Sequence, residues 1–286
     1  MNSGSSLPSP FAIRPDDTVQ EGFVRVLGQM ANHARRVTPH AHGTRSEDVH
    51  ETRMLIKRLR ALLWFASPAF SSAELNPLKT RLRNAAHLLA AQRDLAVMQT
   101  IVEKLARTTA NAADRITLVR IADARKSRQA TAEKPDQSLC QAVAMLLATI
   151  KQLREMAEHK SRWPAPSVRQ AEALVASEKA GEKAIRRRKP AQFHDWRKKA
   201  QRLLYQLQLT QANPGKRMLR TINRIDELQE KLGDYHDSVV AQDRLQEVHP
   251  DQLPPRFVRH SVKLLEKRRR RLRKEVRKIS RHIKSR

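Results

Sequence analysis

The sequence is poor in the residues that disulfides, β-sheets and aromatic stacking surfaces require. Its 286 residues include a single cysteine, Cys140, which excludes a disulfide within the chain and gives no sign of an oxidising compartment. Only 7 residues are glycine, and alternating β-branched runs are scarce, which argues against a β-sheet fold. No apolar run approaches the roughly 20 residues of a membrane span, and the first residues lack the pattern of a secretory signal. We therefore expect a cytoplasmic protein without a membrane span.

Acidic residues are also scarce relative to basic ones. The chain has 57 Lys and Arg against 29 Asp and Glu, which gives a formal net charge of +28. Such an excess attracts polyanions, a class that includes nucleic acid, an anionic membrane surface and inorganic polyphosphate. Good helix formers are abundant instead, so the sequence predicts an all-α protein.

Helical periodicity and chain breakers divide the sequence into a series of helices. Residues 1–15 are rich in Ser and Pro, and we predict that they form a flexible leader. Asp16, Asp17 or Thr18 can cap the first helix, which extends to about residue 37. Further helices are predicted over 47–66, 75–107, 111–133, 137–159, 167–188, 191–210 and 216–247, with a last basic helix after residue 255.

The series of helices repeats itself after the proline-rich segment "RWPAP" (162–166). The spacing from His50 to His194 is 144 residues, and the spacing from Asp94 to Asp237 is 143. Two separate landmarks that agree within one residue indicate an internal duplication. We predict one domain over 16–286, with related helical halves at 16–161 and 162–286.

Each half contains a histidine helix with one cationic face. In "VHETRMLIKRLRALLWF" (49–65), His50, Arg53, Lys57 and Arg60 fall within about 80° of arc, and Arg58 lies to one side. The apolar residues share the opposite stripe. Like charges one turn apart repel each other in water, so an anion that neutralises them is one explanation of this face. A solvated basic face is the other.

The second histidine helix, "FHDWRKKAQRLLYQLQL" (193–209), repeats the pattern in part. His194, Arg197 and Lys198 share a face, and Arg202 lies to one side. Because a cationic histidine face occurs in both halves, we favour the anion-binding interpretation over the solvated one. The opposite stripe contains the apolar residues Trp196, Ala200, Leu203 and Leu207.

The two histidine segments, followed by "QRDLAV" (92–97) and "LGDYHDSVV" (232–240), resemble the CHAD domain, the conserved histidine α-helical domain. The resemblance spans about residues 17–285. It implies two four-helix bundles with pseudo-twofold symmetry around a basic central cavity. It also implies binding of inorganic polyphosphate and association with polyphosphate granules.

The resemblance also implies which residues bind polyphosphate. Gln201 and Leu204 stand where basic residues are usual in the second motif, so the second half is expected to bind more weakly or at fewer points. Carried over position by position, the binding residues are His50, Arg53, Lys57, Arg58 and Arg60 in the first motif and His194, Arg197, Lys198 and Arg202 in the second.

The long helices that follow add acidic residues and further cations. Asp94 and Asp237 occupy matching positions, where a carboxylate can ligate a metal, act as an acid or base, or orient a neighbouring Arg or His. We expect the orienting role, and we predict no metal site, no catalytic residue and no cofactor. The side chains of Arg83, Arg93 and His236 are predicted to extend the basic lining.

Three functions fit these features. We expect non-enzymatic binding of inorganic polyphosphate, because a flexible phosphate polymer requires Arg and Lys but little aromatic surface, and only 4% of the residues are aromatic. A nucleic-acid or nucleoid binder is the alternative, although the chain lacks helix-turn-helix and zinc-finger signatures. The second alternative is an accessory of polyphosphate or triphosphate hydrolysis, although no Walker-type loop is present. The sequence makes no prediction of oligomeric state.

Overall fold

The computed structural model describes residues 11–37, 46–90, 135–211, 214–246 and 255–283, and all regular structure in these ranges is helical. The predicted all-α class is confirmed. The predicted helix over 111–133 and the end of the one over 75–107 lie outside the described residues. The α-helices in the described ranges are α1 Val19–Arg36, α2 Ser46–Ala66, α3 Ser72–Leu88, α4 Pro135–Glu158, α5 Pro166–Arg187, α6 Pro190–Thr210, α7 Lys216–Gln246 and α8 Pro255–Arg281, with a 3₁₀ turn Ser67–Ala69 after α2.

Local signals account for where these helices begin. Thr18, one of the three predicted caps, caps α1 by accepting a hydrogen bond from the backbone N–H of Glu21, whose carboxylate accepts from the N–H of Thr18 in return. Ser71 and Glu74 form the same reciprocal box at the start of α3. Four other helices have proline as their first residue, where the missing N–H has no helical partner to lose. None of the described helices is long and apolar enough to cross a membrane.

The described helices form two compact units. Unit 1 contains the described parts of Met1–Arg93, Lys134–Ala176 and Gln201–Ile225, and unit 2 those of Ser177–Ala200 and Asp226–Arg286. This division does not follow the predicted halves, since α5, α6 and α7 each contribute residues to both units. The predicted boundary at 162 and the duplication itself stay predictions.

Unit 1 has a core built from α1, α2, α3 and α4, joined by the end of α6. The helix α4 packs against both α1 and α3, and α2 packs against α3. Aliphatic and phenylalanine side chains at helical spacing fill the space between them, among them Phe23, Leu27, Leu59 and Leu78, none of which is exposed. Because α2 buries one stripe here, its opposite face is directed away from the core.

The start of the described chain packs into unit 1 instead of forming a flexible leader. Phe11, Ala12 and Ile13 are buried, with exposed fractions of 7%, 5% and 9%. The backbone N–H of Ile13 donates to the carbonyl of Leu209 over 2.7 Å, which fixes this segment against the end of α6. The prediction of flexibility over residues 1–15 is therefore wrong at its end, because three consecutive apolar residues find a groove to fill.

Unit 2 has a smaller core in which aromatic rings hold α6 against α5 and α7. The ring of Phe193 stacks on that of Tyr235 with 4.4 Å between centroids, and Trp196 is buried beside them. Trp196 lies over Gly181 of α5, where an added Cβ would stand 2.8 Å from its Cε2 atom, so only glycine fits. The helix α5 ends at Arg187, and the next residue, Arg188, has a positive φ of 56° that turns the chain toward α6.

Candidate functional site

The cationic face predicted on α2 lies on the outer side of unit 1. His50 and Arg60 are exposed, and Arg53 and Lys57 are half-buried. The apolar stripe of α2 is buried as predicted, with Leu55, Ile56 and Leu59 each at most 1% exposed, for which reason the polar face is directed outward. We refer to His50, Arg53, Lys57 and Arg60 as the α2 face.

Two arginines of the α2 face are fixed by main-chain carbonyls of the next helix. Arg53 donates from Nη1 to the carbonyl of Leu89 over 3.2 Å, and Arg60 donates from Nη2 to the carbonyl of Leu82 over 3.0 Å. The carbonyl of Leu89 belongs to the C-cap of α3, where it has no partner within the helix. The carbonyl of Leu82 lies in the last two turns of α3, toward the negative end of the helix dipole. The bonds therefore position the guanidinium groups without neutralising them.

A second cation stands beside Arg60. Partial burial lowers the pKa of Arg60, and the positive charge of Arg83 on α3 lowers it further. Neither guanidinium bonds to a carboxylate of the described part of the chain. Arg83, predicted to extend the basic lining, is thus brought next to the α2 face. Two neighbouring positive charges that no acid of the described residues offsets form a place where an anion is stabilised.

The remaining cation of the α2 face has a sulfur neighbour. The Nζ atom of Lys57 lies 3.8 Å from Sδ of Met54, and the hydroxyl of Tyr205 donates to the same sulfur over 3.9 Å. Tyr205 belongs to the part of α6 that packs into unit 1, so this contact joins α2 to α6.

Arg58 does not belong to this face. Its Cζ atom lies 5.0 Å from the ring centroid of Phe11 and 5.8 Å from that of Tyr205, a cation–π arrangement within unit 1. Burial lowers the pKa of Arg58, with the charge of Tyr205 acting in the opposite direction. The structure therefore separates Arg58 from the other residues of the first motif, and we do not carry it into the proposed site.

The second histidine face lies in unit 2 and includes a pair of histidines. The ring centroids of His194 on α6 and His236 on α7 are 4.6 Å apart, with 38° between the ring planes. Arg197 lies one turn after His194 on α6. Its side chain lies beside Gly233 of α7, where an added Cβ would stand 3.9 Å from the Nε atom of Arg197. The predicted residues His194, Arg197 and His236 are therefore brought together. We refer to these three residues as the α6 face.

Two further predicted residues of α6 take other positions. Lys198 is exposed. Arg202, which belongs to unit 1, has its Cζ atom 4.9 Å from the ring centroid of Trp64, whose ring also carries Arg169 at 3.6 Å. Arg169 is only 6% exposed and also bonds to Glu172 and to the carbonyl of Trp64. Arg202 and Arg169 thus both pack on Trp64. The sequence pattern did not predict this contact, because Trp64 lies far from both arginines along the chain.

The structure describes only one of the two acids that are predicted to orient a neighbouring Arg or His. Asp237 is half-buried on α7, one turn after Gly233, and its orienting role stays a prediction. Burial raises the pKa of Asp226 on the same helix, and the charge of Glu230 raises it further. Arg93 and Asp94 lie outside the described residues. Within the described ranges, no group of three or more His, Cys, Asp or Glu side chains is arranged to hold a metal ion.

The chain matches a known protein family and a known fold. The family model of the CHAD domain matches residues 25–246, which is more than three quarters of the chain. The chain belongs to the CHAD family. No curated protein matches it.

A solved CHAD structure has the same fold. The crystal structure of the CHAD domain from the plant Ricinus communis is similar over 99% of this chain and 97% of that one, with a TM-score of 0.72 and 21% sequence identity. This likeness supports the all-α CHAD fold.

Proposed function

We propose that this CHAD protein binds inorganic polyphosphate through its α2 and α6 faces without catalysing a reaction on it. The observation that carries the proposal is the contact of Arg60 with α3, where its guanidinium donates to the carbonyl of Leu82 beside a second, exposed cation, Arg83. Adjacent cations destabilise a protein unless something negative neutralises them. A row of phosphate oxygens does so while accepting hydrogen bonds from both arginine forks.

Family membership supports the choice of polyphosphate among anions. The two sequence motifs that carry the family resemblance are those that provide the α2 and α6 faces. Polyphosphate has no bases, so a face of Arg, Lys and His with few aromatic side chains is sufficient to bind it. Single-stranded nucleic acid is bound with stacking aromatic platforms, which neither face provides.

A salt titration tests the proposal. The affinity of the intact protein for long-chain polyphosphate and for duplex DNA of equal phosphate content is measured by titration calorimetry from about 0.1 to 0.5 M KCl. We expect polyphosphate to stay bound at salt concentrations that release DNA, since fixed arginine forks add hydrogen bonds to the general charge attraction. Dissociation of both polymers along one salt curve would favour the nucleic-acid alternative and contradict a polyphosphate site.

The absence of catalysis is part of the proposal and needs its own measurement. The pure protein is incubated with polyphosphate and Mg²⁺ or Mn²⁺, and released phosphate is assayed against a sample without protein. We expect no release above that background. Release that a variant of the α2 face abolishes would establish a hydrolase or its accessory in place of a binding protein.

Granule association follows from the same binding. A fluorescent fusion of the full chain is expected to coincide with polyphosphate granules in cells that make the polymer. A fusion that carries substitutions in the α2 face is expected to spread away from them. A fusion that stays on granules despite these substitutions would separate localisation from the proposed site.

A further inference from the structure

A row of seven basic side chains runs along the exposed side of α8. At 100° and 1.5 Å per residue, the row occupies about 80° of arc and extends about 33 Å, with one cation per turn. All seven residues are exposed, and they lie beyond the segment that the family model matches. We refer to Arg259, Lys263, Lys267, Arg270, Lys274, Arg277 and Arg281 as the α8 row.

The packing of α8 within unit 2 fixes the direction of this row. Leu265, Leu272 and Val276 on the opposite side are buried. Arg268, beside the buried stripe, bonds to Asp234 over 3.1 Å, and Arg269 donates to the side-chain oxygen of Gln242. Cations outside the row thus anchor α8 to α7, and those within it are turned to the outside.

No protein group among the described residues neutralises the α8 row. None of its seven side chains takes part in an ion pair or hydrogen bond there. Of the two acids of α8, Glu275 is bound to Arg271 over 2.8 Å, and Glu266 lies about 20° beside the row without an ion pair to it among the described residues. Like charges three and four residues apart on a helix repel each other, so the row favours a partner that supplies negative charge along its whole length.

The chemistry of the row argues against two kinds of anionic partner. A helix that inserts into a membrane surface needs an apolar exposed face, and the large hydrophobic residues exposed in the described ranges are Val168 and Val175, both on α5. A single-stranded nucleic acid is held by stacking its bases on aromatic rings, and the row contains none. A straight ridge of cations can contact only the outer surface of a polyanion.

A rigid polyanion fits a straight, exposed row better than a flexible one. A flexible chain laid along a straight ridge loses more conformational freedom than a stiff one. A DNA duplex already holds its phosphates in fixed rows, and about 33 Å corresponds to about ten base pairs, close to one turn. Arg and Lys side chains bind these phosphates independently of base sequence.

We propose that the α8 row binds the phosphate backbone of double-stranded DNA, independently of base sequence and separately from the α2 and α6 faces. The protein then has two anion-binding regions with different ligands. One accepts a flexible polymer at the faces of the histidine helices, and the other accepts a stiff duplex along α8.

Neutralisation of the row tests this proposal. In the intact protein we compare K263Q/K267Q/R270Q/K274Q/R277Q with the matched variant K79Q/R162Q/K183Q/R217Q/R220Q, which loses the same charge at five scattered exposed positions. The probe is a duplex of about 20 base pairs, followed by fluorescence anisotropy in a KCl series. We expect the row variant to lose at least about 30-fold in affinity and the matched variant about threefold, with a flatter salt dependence only in the former, since each lost phosphate contact removes about 0.9 from the slope.

Several outcomes would overturn the proposal. Equal losses in the two variants would assign DNA binding to net charge, and an intact protein that fails to bind duplex would remove the site altogether. Anionic vesicles recruited through the row in preference to DNA would replace DNA by a membrane surface. Should the fivefold variant unfold, K263Q/K267Q and K274Q/R277Q are expected to divide the loss between them, and full affinity in both would also contradict the row.

The same variants separate this proposal from the polyphosphate site. The row variant is expected to keep its affinity for polyphosphate within about threefold, whereas substitutions in the α2 face are expected to spare duplex binding. If polyphosphate binding fails while duplex binding depends on the row, the proposed function falls and the α8 row stands. If polyphosphate binding depends on the α2 face while duplex binding does not depend on the row, the α8 row falls and the proposed function stands.

Discussion

The α2 face and the α6 face have related sequences, but their side chains are held in different ways. On the α2 face, Arg53 and Arg60 bond to main-chain carbonyls, and a further arginine, Arg83, stands next to Arg60. On the α6 face, His194 lies against His236. The first surface is built on arginine forks, whereas the second contains two adjacent imidazoles.

The difference indicates how two related motifs can be used in different ways. Leu204, at the position that corresponds to Arg60, is 5% exposed and packs into unit 1. A charge at this buried position would be costly, so the core and not the ligand decides that residue. We therefore expect the α2 face to provide most of the affinity and the α6 face to modulate it with pH. Binding measurements on two sets of variants test this division, and two stability measurements test the packing of the units that hold the faces.

The largest effect is expected from the α2 face itself. The variant R53Q/K57Q/R60Q should lose about 1,000-fold in affinity for polyphosphate, since three charged contacts at roughly 1.5–3 kcal/mol each exceed the 4 kcal/mol that such a change represents. The measurement is titration calorimetry at fixed salt. The variant K79Q/R162Q/K216Q, which removes the same charge from exposed positions, should change affinity little. Equal losses in the two variants would move the site away from α2.

The next effect concerns how firmly unit 2 holds its histidine helix. G181A should lower the free energy of unfolding by about 1–3 kcal/mol, because its Cβ would stand 2.8 Å from the buried ring of Trp196. G233A is the matched control, since its Cβ would meet Arg197 at an ordinary 3.9 Å. Alanine in a helix should even add about 0.5–1 kcal/mol there. Urea denaturation followed by tryptophan fluorescence measures both, and equal stabilities would show that the contact yields.

The histidine pair should account for a smaller, pH-dependent part of the affinity. We expect the histidine pair of the α6 face to take up protons when polyphosphate binds, so affinity should fall about tenfold as the pH rises from about 6 to 8. H194N/H236N should flatten most of this dependence, because two adjacent imidazoles are removed. H159N, at an exposed position elsewhere, should retain it. A flat profile in the unmodified protein would show that no proton uptake accompanies binding.

The smallest effect is expected in unit 1 at acid pH, away from the α2 face. The hydrogen bond from Lys160, followed by those from Ser71, lowers the pKa of Glu74 to about 2. A carboxylate with a lowered pKa stabilises the folded state above its ordinary pKa near 4.5, and this contribution is lost as the pH falls toward 2. E74Q should therefore lose less stability than the unmodified protein over that interval in thermal unfolding. Parallel losses would contradict the Lys160 contact.

The helices could be predicted from sequence because their limits are set locally. The cap at Thr18, the box at Ser71 and the helix-initial prolines are contacts within a few residues. The position of the α2 face opposite the buried stripe also followed from its 3.6-residue period.

What the sequence could not reveal depends on contacts between distant residues. Arg58 resembles its cationic neighbours in the motif, but it stacks on Phe11, 47 residues earlier. Arg202 shares a helix with the α6 face, yet it reaches Trp64 together with Arg169. Periodicity assigns a residue to a side of its helix, but it does not identify which neighbouring element covers that side.

The burial of Phe11, Ala12 and Ile13 has a consequence for the design of truncated forms of this protein. The family match begins at residue 25, but a version cut there would remove the ring beneath Arg58 and the donor that caps the carbonyl of Leu209. The groove that these three residues fill would then expose apolar side chains. The partly buried guanidinium of Arg58 beside it would become accessible to water. A shortened form should therefore keep its upstream residues from at least Phe11 onward, well ahead of where homology suggests the domain begins.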